Sequence, residues 1–175
     1  MADGMEGIDV VAVTAWFADR VENLVTPLDF ELLAGGHSNL TYRVTDGAGR
    51  VYVLRRPPLG HVLQSAHDMG REHKIISALK GSSVPVATTV DLCTDHSVND
   101  APFYVMDYVA GPVLHDHDAA ADLSEDNRES LGLHVIDVLS ALHKIDPDTV
   151  GLGDLGRKEA YLQRQMKRWV TQWEA

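Results

Sequence analysis

The run Val51-Tyr52-Val53-Leu54-Arg55-Arg56 constrains this chain more than any other segment. Its β-branched and aromatic residues favour an extended strand, and a strand sends successive side chains to opposite faces. Val53 and Arg55 therefore share one side, while Leu54 and Arg56 share the other. Only one of the two arginines can point into a cleft beside a sheet. A strand phase shifted by one residue would exchange them, so Arg56 stands as the rival to Arg55.

The flanking sequence supplies partners for that strand. Phe30 to Leu33 and Thr41 to Val44 read as two short strands separated by Ala34-Gly35-Gly36-His37-Ser38-Asn39. Before Arg50, the segment Thr45-Asp46-Gly47-Ala48-Gly49 signals a hairpin, because Asp-Gly tolerates the positive φ of tight turns. Pro57-Pro58 ends the third strand. Residues Ser65 to Lys80 then carry Glu72, Ile75, Ile76 and Leu79 along one side of a helix that Gly81 stops. Thr88 to Cys93 and Pro102 to Tyr108 read as two further strands, with a turn-rich Asp95-His96-Ser97-Val98-Asn99-Asp100 between them. A leading helix is expected from Ile8 to about Asn23. Two later helices are expected, one from the N-cap Ser124 to about Lys144 with Leu131, Val135, Val138 and Leu142 as its stripe, the other from about Arg157 to Trp173. The chain is thus expected to be α+β, with a leading helix over 1–28, a five-stranded antiparallel sheet with one inserted helix over 29–109, and the opening of a helical region over 110–175.

Charge narrows the possible partners. The 175 residues hold 26 acids against 15 Lys and Arg, a formal charge of -11. A surface this negative argues against nucleic acid, whose binding rests on clustered Lys and Arg that release counterions. Residues 113–156 alone hold ten acids against two bases, so most of the excess lies there. The single cysteine, Cys93, excludes a disulfide framework. The start Met-Ala-Asp-Gly-Met-Glu-Gly lacks a basic n-region and no run approaches a membrane span, so a cytoplasmic location without membrane contact is expected.

Several segments could carry chemistry. Glu72 precedes Ile76 by four and Leu79 by seven, which puts its carboxylate on or beside the buried stripe of its helix. A carboxylate there requires a cation, and Arg55 is the nearest in chain order. A structural ion pair and a ligand site both satisfy that requirement. The Gly35-Gly36 turn, with Ser38 and Asn39, would let backbone amides approach an anion; an ordinary turn is the simpler reading. Gly151-Leu152-Gly153-Asp154-Leu155-Gly156 matches the dinucleotide pattern G-x-G-x-x-G, yet that motif works only after a strand and before a helix in a βαβ unit. Here a helix precedes it and acids surround it, so it reads as a connection between helices. His115-Asp116-His117-Asp118 puts possible ligands in a row on one extended segment, which suits a solvated loop better than a metal site. No CxxC, HExxH or GxSxG occurs, so no metal-binding residues are assigned.

Taken in order and at their spacings, GGHSNLTYRV, YVLRRPP, SAHDMGREHKIISAL, VPVATTVDLC and PFYVMDYVAG resemble the aminoglycoside phosphotransferase-like kinases (the APH/choline kinase-like family), in particular the branch sometimes fused to acyl-CoA dehydrogenases. The likeness runs from about Phe30 to Trp173. It implies a protein-kinase-like amino-terminal lobe, a hinge, and the first helices of an incomplete carboxyl-terminal lobe. It also implies ATP as the nucleotide, with Gly35, Gly36, Ser38 and Asn39 over its phosphates. Arg55 falls where the family places a phosphate-contacting lysine, or in this branch often arginine, and Glu72 where a helix glutamate orients that cation. Met106 falls at the gatekeeper, the Asp107 carbonyl and Val109 amide at the adenine edge, and Val53 beside the adenine. Arginine for lysine is a departure from kinases at large: a planar fork grips phosphate at two points but is bulkier.

The family's H-G-D-x-x-x-x-N loop and later metal aspartate have no counterpart here, since none of the nine histidines is followed two residues later by Asp. No catalytic residue is therefore assigned, and magnesium is expected only with the complete enzyme. Two readings follow. One is the amino-terminal nucleotide-binding portion of an ATP-dependent phosphotransferase acting on the hydroxyl of a small molecule, inactive alone. The other is a non-catalytic nucleotide-binding or protein-interaction module, in which uncovered faces of the later helices, Trp169 and Trp173 among them, favour self-association.

Overall fold

The computed structural model describes residues 5–33, 39–60, 67–114 and 116–174. β1 (Asp29–Leu32), β2 (Leu40–Thr45), β3 (Val51–Arg56), β4 (Thr89–Cys93) and β5 (Phe103–Asp107) form one antiparallel sheet in the order β1-β2-β3-β5-β4. β3 is the central strand. It pairs with β2 from Leu40↔Arg56 to Thr45↔Val51, and with β5 from Tyr52↔Asp107 to Arg55↔Tyr104. α2 (Met69–Leu79) separates β3 from β4 in sequence. The α+β arrangement expected from the sequence is the one observed.

Alternation along the strands builds the core on one face of the sheet. Tyr52 and Leu54 from β3, Tyr42 and Val44 from β2, Phe103 and Val105 from β5, and Phe30 from β1 are all buried in one cluster. α1 (Val10–Ala18) covers that face with Val13, Trp16 and Phe17, the i, i+3, i+4 positions of one helical side. Trp16 meets Phe103 edge-on at 4.9 Å between ring centres, and Phe17 meets Tyr52 at 5.8 Å, geometries that satisfy the ring quadrupoles.

α1 is shorter than its apolar residues suggest. Asp9 caps it by accepting from the Val11 and Ala12 amides. At the other end Arg20 donates to the Trp16 carbonyl, lies 4.3 Å over the Trp16 ring and pairs with Asp91 at 2.8 Å. That anchorage draws the chain away toward β4. α2 likewise begins at Met69, where Asp68 accepts from the Arg71 amide. The turn-rich segment before β5 is a one-turn helix, α3 (His96–Asn99), capped by Asp95. Asn99 of α3 accepts from the Asp9 amide at 2.8 Å and so joins α3 to the start of α1.

The β2–β3 hairpin forms around Asp46 rather than around a left-handed Asp-Gly pair. The positive φ, +83°, belongs to Gly49. Gly47 is needed for space instead, because a Cβ there would lie 2.9 Å from Val25 Cγ1. Asp46 accepts from the Ala48 and Arg50 amides and from Arg50 Nε, while Arg50 donates to the carbonyls of Glu22 and Asn23. One buried carboxylate therefore ties the hairpin to the chain that follows α1.

Beyond the sheet lie α4 (Glu125–His143) and α5 (Tyr161–Glu174), neither of which has a buried residue. α5 begins later than expected because Ala160 is left-handed, with φ +52°. No helix among the described residues is long and apolar enough to cross a membrane.

Two expectations test this packing. Phe17 is fully buried, so Phe17→Ala should cost about 3–5 kcal/mol in denaturant unfolding, a large part of a small domain's stability. For Asp46, burial pushes its carboxyl up, but the bonds from Arg50 and Ala48 outweigh this and hold it below the ordinary carboxylate value. Its contribution is therefore complete above that ordinary value and is lost as the pH falls through the lowered one. Asp46→Asn should flatten the acid limb of a stability–pH profile; an unchanged limb would refute the assignment.

Candidate functional site

The face of β3 turned away from α1 settles which arginine is available. Arg56 belongs to the core face, where its side chain is buried and its guanidinium donates to the carbonyls of Gly7 and Pro57. Arg55 lies on the opposite face, opposite Tyr104 on β5 and Thr41 on β2. There its Nε is 3.4 Å from Glu72 Oε2 of α2. The two residues singled out from strand and helix phase are in contact.

The contact is an ion pair without a formed hydrogen bond, since Arg55 Nε is buried and has no hydrogen-bond partner. Among the described residues its terminal nitrogens form no hydrogen bond either, and the side chain is about one-third exposed. The guanidinium fork is thus held at its base and open at its tip. Such a fork can grip two oxygens of a phosphate.

Glu72 is held by more than Arg55. Asn39 Nδ2 donates to Glu72 Oε1 at 2.8 Å, and the Tyr104 hydroxyl donates to Oε2 at 3.1 Å. On the far side of Asn39, His67 Nδ1 lies 2.7 Å from Oδ1. Burial drives the Tyr104 phenol well above its ordinary value, with Arg55 opposing and Glu72 reinforcing the shift, so the hydroxyl keeps its proton and acts as donor. Asn39 is itself buried, and its side chain is engaged by Glu72 and His67.

The other predicted positions fall in three groups. Val53 is buried and lies opposite Met106, one cross-strand row along the same face as Arg55 and Tyr104. Asp107 closes β5, with its amide donating to the Thr88 carbonyl at 2.8 Å. Val109 follows on an exposed connection, and its amide donates to nothing among the described residues. Gly35, Gly36 and Ser38 lie outside the described residues.

Tyr104 and Arg43 were not anticipated. Tyr104 sits in a strand whose aromatic residues look like core, and only pairing with β3 brings it opposite Arg55. Arg43 shares the face of Val53 through β2–β3 pairing, lies 3.7 Å from Glu31 and packs 5.5 Å from the Tyr108 ring centre. The alternation Thr41-Tyr42-Arg43 was the available signal for Arg43.

The remaining motifs take structural places. Gly151–Gly156 connects α4 to α5 with no strand before it, as expected. Within it Leu152 is buried and Asp154 pairs with Lys74 of α2 at 2.6 Å. His117 and Asp118 are exposed, and His115 lies outside the described residues. Among the described residues no group of three His, Cys, Asp or Glu side chains could hold a metal. A cavity lined by Arg56, Ile8 and Asn99 lies behind the sheet, on the far side from Arg55.

Known proteins share this organisation. The profile of the phosphotransferase enzyme family (APH) matches residues 29–175. The chain is 35% identical over 149 residues to mouse acyl-CoA dehydrogenase family member 10, covering 85% of this chain and 14% of that protein. It is 35% identical over 142 residues to acyl-CoA dehydrogenase family member 11 of Gallus gallus, covering 81% and 18%. A solved structure from Ralstonia eutropha JMP134, assigned to the aminoglycoside phosphotransferases, superposes with a TM-score of 0.78 at 34% identity and covers 95% of this chain and 47% of that one. The chain thus spans under a quarter of these curated relatives and about half of the solved structure. With a profile match over most of its length and the same fold at that identity, the chain belongs to the phosphotransferase enzyme family.

Proposed function

We propose that this chain is the nucleotide-binding portion of an ATP-dependent phosphotransferase acting on the hydroxyl of a small molecule. The observation that carries this reading is Arg55: paired at its base with Glu72, open at its fork, and on the sheet face away from the core. In phosphoryl transfer the protein mainly positions the phosphates and stabilises their charge. A fixed guanidinium supplies one such contact. Val53 and Met106 supply apolar surface one row away for a base, and the Val109 amide, which donates to nothing among the described residues, supplies a donor on the connection after β5.

Magnesium is part of the expected chemistry of the whole enzyme, but the described residues do not fit it. Glu72 has both oxygens engaged by Asn39, Tyr104 and Arg55, and no acidic cluster stands beside it. No step is assigned to the metal within this stretch. We propose that the chain alone binds nucleotide without turnover and that the acidic region 113–156 borders the acceptor side.

Titration with ATP and magnesium tests the reading. Arg55→Ala should weaken binding about 10- to 100-fold, the scale of lost charge-assisted hydrogen bonds. Arg55→Lys should recover part of that loss, because an ammonium is a point charge without the two-point fork. Equal affinity of wild type and Arg55→Ala would remove Arg55 as the phosphate contact.

One observation favours self-association as well. Leu133 and Ile136 of α4 are about 62% and 61% exposed, and Trp169 and Trp173 of α5 are 59% and 91% exposed. Leu131, Leu139 and Leu142 add further exposed apolar surface to α4. A helix apolar on several sides is built for burial. Sedimentation should show concentration-dependent association that Leu133→Glu with Ile136→Glu reduces; a monomer at every concentration would end this reading.

A further inference from the structure

We infer that His67 is a positioning residue for the nucleotide site, acting through Asn39 to hold Glu72, and through Glu72 the base of Arg55. The inference rests on the reading of Arg55 as a phosphate contact and extends it to a residue that meets Arg55 only through Asn39 and Glu72. A carboxylate only accepts hydrogen bonds, and an amide has one accepting and one donating end. Glu72 Oε1 at 2.8 Å must therefore face Asn39 Nδ2, which leaves Asn39 Oδ1 facing His67. An amide oxygen only accepts, so His67 Nδ1, 2.7 Å away, must carry the proton. The chain of donors runs in one direction, from His67 to Asn39 to Glu72. It determines the imidazole tautomer at its far end, because the proton's place on the ring follows the bond the ring makes.

The relay has a physical purpose. Asn39 begins the approach to β2, Glu72 sits on α2 and His67 precedes the α2 cap at Asp68. Without His67, Asn39 Oδ1 would lose the donor that fixes the rotation of the amide, and Nδ2 would no longer be held against Glu72. Glu72 would then lose the partner on Oε1 and be free to swing toward the open fork of Arg55. A bidentate Arg–carboxylate pair is the favoured arrangement when nothing prevents it, and it would occupy the nitrogens that a phosphate needs. His67 thus keeps the acidic partner from capturing the cation's binding end, while Tyr104 holds the other oxygen.

Two measurements on the full chain test this. Long-range 15N–1H correlation of the imidazoles, with the His67 signals assigned by their loss in His67→Asn, should show the Nδ1–H tautomer in wild type. A predominant Nε2–H tautomer would overturn the relay whether or not nucleotide binds. In ATP–magnesium titrations His67→Ala should weaken binding roughly three- to tenfold, the scale of one hydrogen bond. His67→Asn, whose Nδ2 can stand in for Nδ1–H, should stay within about twofold of wild type on the same scale. In a Glu72→Gln background the His67→Ala effect should vanish, since coupled residues are non-additive. The same loss in both backgrounds would show a merely structural role and overturn the proposal. Should Arg55→Ala bind ATP like wild type, the nucleotide reading falls by itself, and the tautomer alone decides whether His67 holds Glu72.

Discussion

The two-residue repeat of β3 divides the sheet into a core face and an open face. Because its side chains alternate, Tyr52 and Leu54 can join the core under α1 only if Val53 and Arg55 face the other way. The same alternation sends Arg56 inward, where its guanidinium is satisfied by the main-chain carbonyls of Gly7 and Pro57. Neighbouring arginines thus acquire different duties. One fastens the amino-terminal segment to the sheet, and the other stands on the open face. A slip of one residue would bury the wrong cation and expose the aromatic core, so register and site are secured by the same apolar burial.

On the open face the strands and α2 converge at the Glu72 carboxylate. Three groups from separate parts of the chain meet it, Asn39 ahead of β2, Arg55 on β3 and Tyr104 on β5, with His67 behind Asn39. A half-buried carboxylate needs such company, because leaving it unpaired would cost more than a lone ion pair returns. The neutral donors do much of that work here. Their presence is why the guanidinium need not close on the carboxylate, and why its terminal nitrogens make no hydrogen bond among the described residues.

The region after β5 has a different character. Residues 113–156 hold ten acids against two bases, and α4 and α5 expose leucine, isoleucine and tryptophan side chains. Among the described residues, Lys74 of α2 meets Asp154, and Leu152 is buried within the connection between the helices. The solved relative extends over roughly twice the length matched by this chain.

Local pattern was enough for the strands, the inserted helix and the contact of Arg55 with Glu72. Period two and period 3.6 each assign a side chain to a face, and these two residues lie on adjacent elements. Helix ends were read too long at α1 and too early at α2 and α5, because caps at Asp9 and Asp68, the Arg20 anchorage and a left-handed Ala160 depend on single residues that periodicity does not weigh. Periodicity alone assigns the apolar faces and requires a cation for the carboxylate on α2. Folding in three dimensions is what brings Tyr104 and Asn39 to that carboxylate, sets His67 behind Asn39 and commits Arg56 to the core face. Those contacts join residues distant in sequence through strand pairing, and no local spacing encodes which of several polar side chains will meet.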